Sequence, residues 1–265
     1  MLLDGIIVRD GPAPLAKLHG APYFFLTMVV MQYAHFVLLP HYGVAGFSMY
    51  MLIAIPMLTL DGLVSNSFGK NVVNLRAHGF SDATTVATML FNTVVSQFLT
   101  FVVVYYMGTP DALAGLLHPS SYSPWIAAAI AINLALTEAL FFAAHKLLHE
   151  VWPHVHVMHH CCLHSSHSTN AIFHPLDLAF EFGGPGTVVF AMHFFVWEQN
   201  RTVLLATYLI VQTYYAIDHS EWLQTYHYKH HAQINAVYTI YVNHRSSPQL
   251  DQVRSLVNKP LKSIN

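Results

Sequence analysis

Long apolar segments are the feature that most constrains how this chain can fold. A helix of roughly 20 residues crosses a bilayer core of about 30 Å, and backbone polar groups inside a bilayer must bond within their own segment. Only 9% of the residues are charged, too few to cover a water-soluble globule. The sequence therefore predicts an all-α integral membrane protein with about four transmembrane helices. The predicted spans are Pro22–Pro40, Gly43–Leu60, Thr85–Met107 and Trp125–Ala144.

The scarce basic residues predict which way these helices are oriented. Four of them precede the first span or lie between the second and third: Arg9, Lys17, Lys70 and Arg76. The two alternate loops contain neither Lys nor Arg: His41–Tyr42 and Gly108–Pro124. The positive-inside rule then places the N-terminus, the 61–84 connector and the residues after Ala144 in the cytosol. Two later apolar stretches, Gly186–Trp197 and Val203–Ile217, are short for spans, so we predict a re-entrant or interfacial hairpin, with a six-span topology as the alternative.

Charge and cysteine content exclude two other classes of protein. The net charge of −2 provides no basic surface, which argues against nucleic acid as a main partner. The only cysteines, Cys161 and Cys162, are adjacent and badly placed to bridge each other, so no disulfide framework is predicted.

Histidine is the residue type that points to chemistry. Fourteen of the 20 histidines lie between His145 and His231. On a helix, residues spaced i, i+3 and i+4 share a face, so each of three boxes can direct its imidazoles at one point. The boxes are His145/His149, His156/His159/His160 and His227/His230/His231. One metal ion takes about four protein ligands, so eight imidazoles indicate two metals. An all-nitrogen set suits iron, zinc, copper or nickel.

Two zinc-enzyme interpretations fit the boxes poorly. The first box reads His-Lys-Leu-Leu-His and lacks the glutamate of a metalloprotease, since Glu150 follows the second histidine. A deaminase needs a Cys-x-x-Cys pair, which adjacent cysteines do not supply. A single histidine box is more often structural than ligating, but three boxes on one predicted membrane face favour metal binding.

The ordered boxes resemble the fatty acid hydroxylase superfamily, which includes sterol desaturases, sterol methyl oxidases and lipid hydroxylases. Between the second and last boxes the chain also has His174-Pro-Leu-Asp177 and His219-Ser220, and Glu138 stands seven residues before the first box. The likeness covers about residues 131–244. It implies an O₂-dependent oxidoreductase with two iron ions, and four transmembrane helices that support a cytosolic helical cap. It also implies a lipid substrate, a sterol or fatty acyl chain, and electrons from cytochrome b5 or a reductase.

The resemblance also implies the roles of individual residues. Glu138 and Asp177 would orient ligands through the second ring nitrogen, although Asp177 could instead cap a helix. His174 is a further candidate ligand, or it terminates a turn together with Pro175. The implied metal ligands are His145, His149, His156, His159, His160, His219, His227, His230 and His231.

The chain divides into three predicted regions: 1–130 with three spans, 131–246 as the hydroxylase-like domain, and 247–265 as a tail. We expect a separate electron donor because no cytochrome b5 domain is visible. The metal site would face the cytosol, at the endoplasmic reticulum in a eukaryotic host.

The sequence also departs from the family pattern. Only seven residues separate His219 from His227, and the signature after the last box is absent. The choice between hydroxylation and desaturation therefore stays open, as do two alternatives to the enzyme: a non-catalytic relative, and a histidine-rich metal-binding or transport protein.

Overall fold

The part of the chain that the computed structural model describes is mainly helical and contains no strand. The description covers residues 15–65, 67–108, 110–163, 170–219, 223, 225–233, 239 and 257. The helices are α1 (Ala21–Ser65), α2 (Ser67–Ala77), α3 (Asp82–Met107), α4 (Pro110–Leu117), α5 (Pro124–Glu150), α6 (Pro153–His160), α7 (Pro175–Val196), α8 (Arg201–Ile217) and α9 (Tyr226–Gln233). The all-α prediction is confirmed for these residues.

Three of the described helices are long and apolar enough to cross a membrane: α3, α5 and α7. The first two correspond to the predicted spans Thr85–Met107 and Trp125–Ala144. The other two predicted spans lie in α1, where Ala21–Met31 and Tyr42–Met57 form shorter apolar stretches among the described side chains. The number of four spans and the cytosolic cap therefore stay predictions.

The third long apolar helix, α7, differs from the sequence expectation of a short re-entrant stretch. It begins at Pro175, eleven residues before Gly186, and is 22 residues long. The sequence Gly183-Gly184-Pro185-Gly186 suggests a helix break, but a π-helical turn over Leu178–Gly183 precedes Pro185. Pro185 has no backbone N–H to donate to the preceding turn. The wider π-helical turn shifts the hydrogen-bond register at this point, and the helix continues past the proline.

Helix α1 is broken at Gly43, in the predicted link between the first two spans. The backbone there has φ of 54° and ψ of −131°, a conformation that glycine adopts far more easily than other residues. Ala34 before the break packs in one buried cluster with Tyr50 and Ala54 after it, together with Phe101 of α3. The two halves of α1 are thus packed on each other and on α3, as a helical hairpin.

A layer of short helices packs over one end of the long ones. Helix α2 buries Phe68, Val72 and Leu75 against Met158 and Cys161 at the end of α6. The Asn74 side chain donates a 2.6 Å hydrogen bond to the Cys161 carbonyl. Helix α5 packs along α7 and α8. This arrangement holds the ends of α5, α6 and α8 close together. Of the predicted 247–265 tail, only Val257 lies within the described residues.

We predict that Gly43→Ala destabilises the protein. The backbone at Gly43 would be strained by about 1–3 kcal/mol with any Cβ, and that Cβ would also lie 3.4 Å from the Tyr105 ring. Thermal unfolding in detergent should show a lower Tm. Gly186→Ala is the control, because its Cβ would meet nothing within 4 Å. Equal Tm values for the two variants would contradict the assigned break.

Candidate metal centre

The last turns of α5 supply the first two histidines of the site. Ser123 caps the helix by accepting from the Ile126 N–H, and Pro124 occupies its first turn. At the other end, His145 and His149 are one turn apart, so both imidazoles project from the same face. Their Nε2 atoms are 3.1 Å apart, and both residues are fully buried.

Helix α6 brings two more imidazoles to the same point. Pro153 starts this helix directly after α5 ends, which turns the chain back across the end of α5. The Nε2 atom of His160 lies 3.0 Å from that of His149 and 3.1 Å from that of His156. These four fully buried residues form the first tetrad: His145, His149, His156 and His160. His230 of α9 joins them, with its Nε2 3.0 Å from that of His149 and 3.2 Å from that of His160.

A second tetrad is assembled beside the first from two helices and the turn that follows a third. Its members are His159 of α6, His219 just after α8, and His227 and His231 of α9. The Nε2 atom of His219 is 3.3 Å from that of His159 and 3.2 Å from that of His231, which is 3.2 Å from that of His227. The His219 side chain is 13% exposed, whereas those of the first tetrad are fully buried. The second tetrad is therefore the more accessible of the two.

These distances fit metal coordination better than hydrogen bonding. The Nε2 atom of His160 faces three other Nε2 atoms, of His149, His156 and His230. One proton cannot bridge three neighbours, and converging lone pairs repel each other. With metal–nitrogen bonds of about 2.0–2.1 Å, ligand atoms around one ion are about 2.9 Å apart at right angles and about 3.3 Å apart in a tetrahedron. The observed separations of 3.0–3.3 Å fall in this range.

Two buried carboxylates hold the outer ring nitrogens. His156 donates from Nδ1 to Asp177 Oδ2 at 2.8 Å, and His219 donates from Nδ1 to Asp218 Oδ1 at 2.5 Å. The Thr225 hydroxyl donates to the Asp218 carbonyl, which connects α9 to the end of α8. A proton fixed on Nδ1 leaves the lone pair on Nε2, pointing to the middle of each tetrad. Asp218 was not among the sequence candidates.

A third carboxylate, Glu181, lies between the two tetrads. Its Oε1 is 3.5 Å from His145 Nε2 and 3.7 Å from His156 Nε2, and its Oε2 is 3.8 Å from His159 Nε2. Glu181 lies in the π-helical turn of α7, and the Tyr215 hydroxyl donates to its carbonyl at 2.8 Å. Glu181 was not among the residues predicted from the sequence. Its one sequence signal is a carboxylate within an apolar stretch, which is costly in a membrane unless it has a partner or a function.

The structure brings nine of the predicted histidines together and leaves one apart. His174 lies outside both tetrads; its Nδ1 accepts from the Leu176 N–H and so caps the N-terminus of α7. Asp177 makes no side-chain cap on the π turn that follows it. Glu138 is half-buried on α5, seven residues before His145, and belongs to neither tetrad.

Burial sets the protonation of the histidines that lie outside the long apolar helices. It lowers the pKa of five of them well below the ordinary value, and the nearby imidazoles lower it further. These are His156, His159, His160, His227 and His231. They are therefore neutral at pH 7, which is the form that binds metals. Burial also raises the pKa of the Cys161 thiol to about 12, so this cysteine is neither a thiolate ligand nor a nucleophile.

A pocket of about 1240 Å³, its open mouth included, leads to the second tetrad. His159, His219 and His227 line one end of it, with Glu181. The rest of the wall comes mainly from α1, α3 and α7, and includes Met28, Met31, Tyr50, Ala54, Met57, Asn92, Ser96, Leu178 and Phe182. An apolar ligand could therefore reach the second tetrad from between the long helices.

Comparison with known proteins adds no relative to this description. No protein-family model, no curated protein and no solved structure matches the chain.

We predict that the metal-free protein loses stability as the pH falls below about 6.5. The five histidines stay neutral in the folded state, because their pKa values are lowered, but take up protons in the unfolded state. Unfolding thus gains protons, and each histidine costs up to about 1.4 kcal/mol of stability per pH unit. Tm of chelator-treated protein in detergent should be level between pH 7 and 8 and fall towards pH 5.5. A level Tm across the whole range would contradict the buried neutral cluster.

We also predict that Glu181→Gln weakens metal binding by about 10- to 100-fold, a loss of the size seen when groups around metal ligands are changed. The amide keeps the shape of the side chain and removes the carboxyl group whose two oxygens face both tetrads. Chelator competition would measure the change. Glu198→Gln, an exposed carboxylate on the loop before α8, is the matched control. Equal metal retention in the two variants would show that Glu181 has no part in holding metal.

Proposed function

We propose that this chain is a membrane-bound, O₂-dependent di-iron oxidoreductase that hydroxylates or desaturates a lipid. The observation that carries the proposal is the pair of adjacent buried histidine tetrads at the end of a pocket that opens between long apolar helices. Two four-histidine sets fit two metal ions, and the resemblance of the histidine boxes to lipid hydroxylases favours iron among the metals that imidazole binds.

The residues of the chain would hold the two ions in distinct environments. His145, His149, His156 and His160, with His230, would hold one ion out of contact with solvent, and the second tetrad would hold the other at the end of the pocket. Asp177 and Asp218 would keep one ligand of each tetrad in the tautomer that points Nε2 inward. When bound, the iron supplies activation of O₂ and removal of hydrogen from an unactivated C–H bond, which no amino-acid side chain achieves alone.

The pocket supports a lipid as the substrate. Methionine side chains of α1, which adapt to flexible apolar ligands, line the pocket together with Phe141 and Leu178. A hydrocarbon chain could enter sideways from the bilayer without crossing water, and its contact with these residues would exclude water from the second tetrad. Electrons would come from a separate donor such as cytochrome b5 or a reductase.

A metal transporter is the alternative that the geometry supports less. In a transporter, ligands follow a path through the membrane-spanning segments. Here the histidines form one compact group at the ends of α5, α6 and α8 and along α9, and the first tetrad is fully buried. A tightly enclosed pair of sites suits resident ions better than ions in transit.

We predict about two iron ions per chain in protein purified without chelator, because each tetrad completes one coordination sphere of about four ligands. His160→Ala should lower the content to one ion or fewer, since its Nε2 contacts three other members of the group. Iron would be measured by elemental analysis. His118→Ala is the matched control, as His118 is exposed and bonded only locally to Ser120. An iron-free purified protein would overturn the proposed function.

The same pair of variants tests catalysis. Lipids from cells that express the chain should contain an oxidised product that forms only with O₂. The His118→Ala variant should still form it, and His160→Ala should not, at equal amounts of membrane-inserted protein. Equal product from both variants would contradict the ligand assignment.

A further inference from the structure

One long-range contact joins the C-terminal part of the chain to the layer of short helices. Val257 and His78 are 179 positions apart in the sequence, yet the Val257 carbonyl oxygen lies 2.9 Å from His78 Nε2. The Val257 side chain is buried and packs against Val157 of α6. Val157 stands between His156 and His159 in the sequence. Val257 therefore contacts the helix that carries three histidines of the two tetrads.

The turn between α2 and α3 holds the half-buried His78 in place. Gly79, the next residue, has φ of 86°, the left-handed conformation that commonly follows the last residue of a helix. Arg76 of α2 and Asp82 of α3 close the turn through two hydrogen bonds of 2.7 Å. The imidazole is thus directed at the Val257 carbonyl from a well-defined turn rather than from a free loop.

The contacts of the His78 ring require that the ring carries a charge. Its Nδ1 lies 2.8 Å from the Asn74 carbonyl oxygen, and its Nε2 lies 2.9 Å from the Val257 carbonyl oxygen. Carbonyl oxygens only accept hydrogen bonds, so both ring nitrogens must donate. A neutral imidazole has one N–H, whereas the imidazolium has two. The two hydrogen bonds therefore exist together only while His78 is protonated and positively charged.

The charged groups around His78 do not themselves favour a positive charge there. Arg76 and Asp82 of the same turn form an ion pair with each other, and α6 meets the C-terminal part of the chain through an apolar side chain. Arg254 and Lys259, which lie within three residues of position 257 in the sequence, are positively charged and act against a second cation. The second proton on His78 is therefore favoured by the carbonyl oxygens that accept from the ring.

We propose that the chain around Val257 is a pH-dependent strap across α2 and α6, docked while His78 carries both protons. An imidazole loses its second proton as the pH rises through neutrality. The bond to Asn74 lies within one turn of the chain, so the long-range bond to Val257 is the one that is lost. The docked strap supports the helix that carries three histidines of the metal centre. The proposal does not depend on the proposed oxidation of a lipid.

The test is protection of the strap from proteolysis, in the full-length protein in detergent at about pH 6 and about pH 8. Thermolysin cleaves before apolar residues, and mass spectrometry follows cleavage before Val257. A synthetic peptide of residues 247–265 is digested at each pH to correct for the pH dependence of the protease. The corrected protection should be about tenfold greater at the lower pH, as expected for one hydrogen bond from a charged donor. Equal protection at the two pH values overturns the proposal.

Variants assign the pH dependence to His78. His78→Gln is neutral throughout, so its protection should be low and equal at the two pH values. His78→Lys keeps a charged donor throughout, so its protection should also be equal at both, which gives a second test if the first variant does not fold. His118→Gln is the matched control, an exposed histidine bonded to Ser120, and it should keep the tenfold difference. A pH difference that persists in either His78 variant overturns the proposal, as does its loss in His118→Gln.

Discussion

The structure depends on one electrostatic requirement, the neutralisation of nine imidazole lone pairs that converge in a dry interior. His160 alone faces three other Nε2 atoms at 3.0–3.2 Å, an arrangement that protons cannot satisfy and metal cations can. Burial keeps the imidazoles outside the long helices neutral, which makes them ligands rather than repelling cations. The packing of α2 on α6 and of α5 on α7 and α8 maintains this convergence.

The two tetrads differ in their carboxylate contacts and in their access to the pocket. Asp177 and Asp218 each hold one ligand from outside, whereas Glu181 faces both tetrads from between them. The first tetrad is closed on all sides, and the second meets the pocket through His159, His219 and His227. Of the two tetrads, the second is therefore the one that a ligand in the pocket could reach. The accessible position is also the one whose surroundings include the buried amide of Asn92.

The sequence predicted the convergence of the histidines well, because helical spacing is a local property. His145 and His149, or His227 and His231, share a face wherever their helix packs. Partners from other elements are different. Glu181 reaches the histidines of α5 and α6 from a π-helical turn near the start of α7, and no periodicity in the sequence indicates that turn. The apolar stretch Gly186–Trp197 is short for a span in the sequence, whereas the helix that contains most of it begins at Pro175 and is 22 residues long.

The pocket beside the second tetrad could not be predicted from the sequence for a similar reason. Its wall combines side chains from α1, α3 and α7 with the loop at 170–173, which only the tertiary fold brings together. In the sequence, Asn92 is one polar residue within an apolar span. Nothing there distinguishes it from a polar residue whose side chain hydrogen-bonds to the backbone of its own helix. Its amide instead bonds two loop carbonyls, and this connects the wall of the pocket to Phe173 and so to His159. One side chain of α3 therefore supports the loop beside the histidines, so the shape of this wall of the pocket depends on a contact between elements that are distant in the sequence.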